Sequence, residues 1–97
     1  MGAPLKIEWT ERAVNDVASI HTFLLREWSE REAERFLDDV HVFERLIAQW
    51  PQGFKRSLRN KHLRLGIVHR NTMAVYRVFR NRIVIVTVFD SRSSASR

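Results

Sequence analysis

The sequence predicts an α+β fold in the order β-α-α-β-β-β: one small antiparallel sheet with an α-helical hairpin packed on one face. Three observations predict it. Residues Thr72 to Arg92 form two β-rich runs joined at Arg80-Asn81-Arg82. Two earlier stretches repeat apolar side chains at helical spacing, with a very short connection between them. Ninety-seven residues, 44% of them hydrophobic, suit one core and hence a single domain over 1–97.

The first element is Leu5 to Trp9, where Leu5, Ile7 and Trp9 alternate with Lys6 and Glu8 as in an amphipathic strand. Thr10 stands where an N-cap belongs, with Glu11 in the first turn. A helix follows. Its stripe is Ala13, Val17, Ile20, Leu24 and Trp28, widened by Val14 and Phe23. Ser29-Glu30-Arg31-Glu32 has the form of a capping box and opens a second helix. That helix carries Ala33, Phe36, Leu37, Val40, Phe43, Ile47 and Trp50, and Pro51 with Gly53 stops it. So short a connection forces the two helices back on each other.

Residues 52–62 read as a basic loop with Lys55, Arg56, Arg59 and Lys61. Leu63, Leu65 and Ile67 alternate with Arg64, Gly66 and Val68 as a strand. A turn at Arg70-Asn71 leads into the β-rich pair. A two-residue loop between the last two strands sets Ala74, Tyr76 and Val78 on one face with Ile83, Ile85, Thr87 and Phe89. The same register sends Leu63 and Leu65 to the Tyr76 face and sets Arg64 across from Arg77. The opposite face then holds Met73, Val75, Arg77, Phe79, Val84, Val86 and Val88. Residues 93–97 are small and polar and are expected to be a disordered tail.

Both sheet faces are apolar, and one helical hairpin covers only one of them. The Leu65/Tyr76/Ile85 face is expected under the helices because it carries no arginine. No segment is left for the other face, so an apolar patch edged by Arg64 and Arg77 is expected to receive another polypeptide or a second copy of this chain.

No apolar run approaches the ~18 residues of a membrane span, and MGAPLKIEW lacks the apolar core of a signal peptide, so a cytoplasmic protein is expected. Cysteine is absent, and His21, His41, His62 and His69 have no metal-ligand spacing; neither a metal nor a cofactor is expected. Asp38 and Asp39 are adjacent helical positions that point about 100° apart, so they do not converge as a dyad.

The chain has 17 Lys and Arg against 11 Asp and Glu. Ten of those acids lie within the first 44 residues. Between Arg45 and Phe89 there are ten Lys or Arg and no acid. Solubility alone does not require such segregation, so this half is expected to attract nucleic acid or an acidic protein.

Taken together, LKIEW, the helix opening TERAVNDVASI, the long helix ending at WPQG, Tyr76-Arg77-Val78 and IVIVTVFDSR with its terminal Arg92 resemble the RelE/ParE superfamily of toxins from type II toxin-antitoxin modules. The likeness spans residues 5 to 92. It implies a cognate antitoxin as partner, a toxin-antitoxin hetero-oligomer, and partner contacts through Met73, Val75, Arg77, Phe79, Val84, Val86, Val88 and Arg92. ParE-like members resemble non-enzymatic poisons of DNA gyrase with a long helical hairpin and no ribonuclease residues, and this reading is placed first. RelE-like members resemble ribosome-dependent mRNA endoribonucleases, and this is the alternative. By that resemblance Arg77 and Arg92 would stabilise a phosphate; Arg64 and His69 complete the candidate set, His69 standing in for the absent C-terminal base from its place near the end of a neighbouring strand. A free-standing nucleic-acid-binding domain is disfavoured, since the strands lack exposed aromatic pairs.

Overall fold

Side chains cap both helices. In the computed structural model, which describes residues 4–91, α1 (Glu11–Glu27) starts at Thr10, whose hydroxyl accepts from the Ala13 amide at 3.0 Å. The helix α2 (Glu30–Gln49) starts at Ser29, whose hydroxyl accepts from the Glu32 amide at 3.1 Å. Only Trp28 and Ser29 separate the two. Ala33, Phe36, Val40, Phe43 and Ile47 of α2 are buried, as their spacing predicts. Val14, Phe23, Trp28 and Trp50 are exposed instead, because they lie at the margins or ends of their stripes.

The strands are β1 (Lys6–Trp9), β2 (Leu63–His69), β3 (Thr72–Val78) and β4 (Arg82–Asp90), arranged β1-β4-β3-β2. β2, β3 and β4 are antiparallel neighbours. β1 runs parallel to β4, with Ile7 beside Ile83 and Trp9 beside Ile85. The sheet is therefore mixed rather than wholly antiparallel. The returning hairpin of helices makes a parallel pairing sterically available, and it brings Ile7 and Trp9 against the core.

Phe79 donates its amide to the Arg82 carbonyl at 2.8 Å, closing the expected two-residue turn over Arg80-Asn81. The predicted register holds from there to Tyr76 opposite Ile85. It then slips by one residue, so that Val75 faces Thr87 and Ala74 faces Val88. The slip lies where β1 ends and α1 takes over the border of β4. There the Thr10 hydroxyl donates to the Val86 carbonyl at 2.6 Å. Asp16 Oδ2 accepts from the Val88 amide at 3.0 Å and the Thr87 hydroxyl at 2.7 Å. One helix thus satisfies backbone groups that a further strand would otherwise take. As a result Val88 is buried in the core, not on the opposite face.

β2 carries the second correction. Arg64 pairs with Tyr76, Leu65 with Val75 and Gly66 with Ala74, and the register shifts between Ile67 and His69. The face under the helices therefore receives Arg64, Gly66 and Val68, while Leu63, Leu65 and Ile67 go to the other. The reason is space. A Cβ on Gly66 would lie 2.5 Å from Phe43 Cε1 and 3.1 Å from Phe54 Cδ2. Two aromatic rings occupy the position where a leucine would otherwise point.

Candidate functional site: the open sheet face

Three rows of side chains cross the face away from the helices. Leu63, Arg77 and Val84 make the first, Leu65, Val75 and Thr87 the second, and Ile67, Met73 and Phe89 the third. Both helices pack into the core on the opposite side, and no described segment lies over these rows. Ile67 is 62% exposed. A contiguous apolar surface with a charged border is the usual mark of a partner site.

One end of this face is cationic and ordered. Two guanidinium groups contact the Phe79 ring, with Arg77 Cζ 4.7 Å and Arg82 Cζ 4.5 Å from its centroid. Arg82 Nε is shielded from solvent and faces Glu8 Oε1 at 3.3 Å, without a hydrogen bond of its own. Arg77 is exposed and has no carboxylate partner among the described residues. The stack holds two positive charges at the border of an apolar surface and limits their rotamers before any partner arrives.

Of the residues expected on this face, Met73, Val75, Arg77, Phe79 and Val84 are on it. Val86 sits in the bulge and Val88 in the core. Arg64 is not on its border: it turns to the helix side, donating to the Phe54 carbonyl at 2.7 Å and the Gln52 carbonyl at 3.5 Å. Arg92 lies outside the described residues, as do 93–97. Sequence reasoning missed Arg82, Phe89 and the leucines of β2. The small residues Gly66 and Ala74, in register with each other, were the signal that the helices lie on their side.

Of the residues named for the ribonuclease alternative, the three described ones, Arg64, His69 and Arg77, do not come together. Arg64 and Arg77 are on opposite faces. His69 lies at the other end of β2, roughly 17 Å from Arg64 by strand rise. Its Nδ1 is 2.5 Å from Asp39 Oδ2, its side chain is 14% exposed, and its ring meets the Phe36 ring edge-on at 5.8 Å. It ties β2 to α2. Tyr76 is fully buried; its hydroxyl donates to the Pro51 carbonyl at 2.9 Å and its ring meets Phe43 edge-on. Burial pushes its phenol above the ordinary value, against smaller opposing effects of the Arg64 charge and a backbone hydrogen bond at Phe54. Among the described residues no three His, Asp or Glu are grouped to hold a metal ion, and no described helix is long and apolar enough to cross a membrane.

A family model described as the ParE toxin of the type II toxin-antitoxin system, parDE, matches residues 7–94. The chain is similar to a solved structure described as the chromosomal ParDE TA system from P. aeruginosa. The TM-score is 0.76 at 20% identity, over 89% of this chain and 95% of that one. It is also similar to the solution structure of the conserved hypothetical protein HP0894 from Helicobacter pylori, with a TM-score of 0.50 at 12% identity over 91% and 96% of the two chains. At these identities the structural likeness speaks for the fold alone. No curated protein matches significantly.

Proposed function

The chain belongs to the ParE toxin family of type II toxin-antitoxin systems, and on that premise we propose that it arrests growth in the cytoplasm by binding DNA gyrase and is silenced by a cognate antitoxin. The antitoxin lies on the open sheet face, forming a hetero-oligomer. The observation that carries this reading is the uncovered apolar rows beside the Arg77-Phe79-Arg82 stack. They suit an amphipathic segment whose apolar side chains fill the Leu65/Val75 and Ile67/Met73/Phe89 rows and whose carboxylates meet the two arginines. The ribonuclease alternative has less support, since Arg64, Arg77 and His69 point to different surfaces.

Two measurements test the proposal. Purified chain added to gyrase and plasmid DNA is expected to accumulate gyrase-linked breaks; cut messages and stalled translation without such breaks would point to the alternative. Separately, Val75→Glu is expected to weaken capture of the antitoxin by at least about 100-fold while the circular dichroism spectrum is retained. Unchanged capture would place the antitoxin elsewhere.

A further inference from the structure

The basic loop 52–62 makes a second surface, distinct in chemistry from the open sheet face. Lys55, Arg56 and Arg59 are exposed, as is Lys61. None of them has a carboxylate partner among the described ion pairs, which all draw their acids from the first 44 residues. The loop nevertheless has a fixed shape. Ser57 donates its amide to the Leu63 carbonyl at 2.7 Å, Leu65 donates to Lys55 at 3.0 Å, and Ser57 Oγ accepts from the Arg59 amide at 3.2 Å.

This pairing sets Arg56 directly opposite Arg64 in an antiparallel bridge. The flanking hydrogen bonds make it a pair without hydrogen bonds of its own, the kind that brings side chains closest. Like charges held so are destabilising. Carbonyl oxygens compensate Arg64, whereas nothing described compensates Arg56.

We propose that this loop binds the phosphate backbone of duplex DNA without regard to sequence. Exposed cations on a loop of fixed shape can meet closely spaced phosphates and release their counterions. An acidic protein is the poorer fit, because Leu58 is the only exposed apolar anchor on the loop, and protein interfaces depend on clusters of buried anchors. Single-stranded RNA is the poorer fit as well. Its recognition relies on exposed aromatic rings, and Phe54 is turned inward with its ring centroid 5.8 Å from that of Phe43. The binding itself does not depend on the gyrase reading. Where both hold, the toxin touches the DNA that the gyrase is holding.

The test uses the full chain and a short duplex of arbitrary sequence, with affinity measured across a salt series. Four phosphate contacts predict a slope of log affinity against log salt of roughly −3.6. The quadruple variant Lys55→Ala, Arg56→Ala, Arg59→Ala, Lys61→Ala is expected to lose at least tenfold in affinity at ~50 mM salt, flatten that slope and keep antitoxin binding. Three outcomes overturn the proposal: no duplex binding by the parent chain, equal binding by the variant, or a variant that loses the antitoxin or single-stranded RNA but not the duplex. A chain that binds duplex through these residues yet never traps gyrase on DNA leaves this inference standing and removes the gyrase reading.

Discussion

The two faces of the central sheet are built from the same strands and differ little in apolar content, yet the helices seal one while no described segment covers the other. The sealed face presents Gly66, Ala74, Tyr76, Ile83, Ile85 and Val88; the open one presents Leu63, Leu65, Ile67, Met73, Val75 and Phe89. The larger aliphatic side chains of β2 are on the open side. Hydrophobicity therefore does not decide which face the helices take. Complementarity does: the rings of Phe43 of α2 and Phe54 need a small neighbour on the sheet, and Gly66 supplies it.

The largest expected effect separates the faces by stability. Ile85→Ala, in the sealed core, is expected to lower unfolding free energy by about 2–5 kcal/mol in urea titrations. Met73→Ala on the open side is expected to cost about 1 kcal/mol or less while weakening antitoxin capture. Equal losses of stability for the two would mean that the open face is covered by the chain itself.

A smaller effect sharpens the steric argument. Gly66→Ala places a methyl 2.5 Å from a Phe43 ring carbon, and the overpacking is expected to cost about 1–3 kcal/mol. Adding Phe43→Leu should recover part of that loss, a coupling that a double-mutant cycle reads directly. Additive losses would remove Phe43 as the reason for the register of β2.

The smallest effect is a pH dependence confined to the sealed side. The raised Tyr76 phenol holds its proton more tightly folded than unfolded. Its contribution is complete below the unfolded value of about 10 and is lost as pH rises through the higher folded value. Stability is expected to fall above about pH 10, and to fall less steeply in Tyr76→Phe, which at neutral pH gives up one hydrogen bond of about 0.5–1.5 kcal/mol to Pro51. Equally steep alkaline curves for the two proteins would assign the loss to other groups.

Much of this was legible in the residues. Local chemistry placed Thr10 and Ser29 as caps, and periodicity placed the buried stripe of α2, because both depend on neighbours within a few positions. The hairpin register was legible from its turn as far as Tyr76. Beyond it, Asp16 and Thr10 hold Val86 to Val88 from more than seventy positions away, and no alternation in β4 announces that grip. The same distance problem hid the parallel docking of β1. On the candidate site, Arg77 and its β3 neighbours were legible, whereas Arg82 and the leucines of β2 depended on where bulges reset the count. Arg64 was misplaced for the same reason.

The borders of the sheet carry a last consequence. β1 has only four residues before α1 replaces it, and residues 55–57 run along the first part of β2. Short, covered and arginine-bearing margins discourage the strand-to-strand stacking that leads to fibres. Such margins turn backbone pairing away and leave the encounters of the greasy surface to be matched in shape and charge, side chain against side chain.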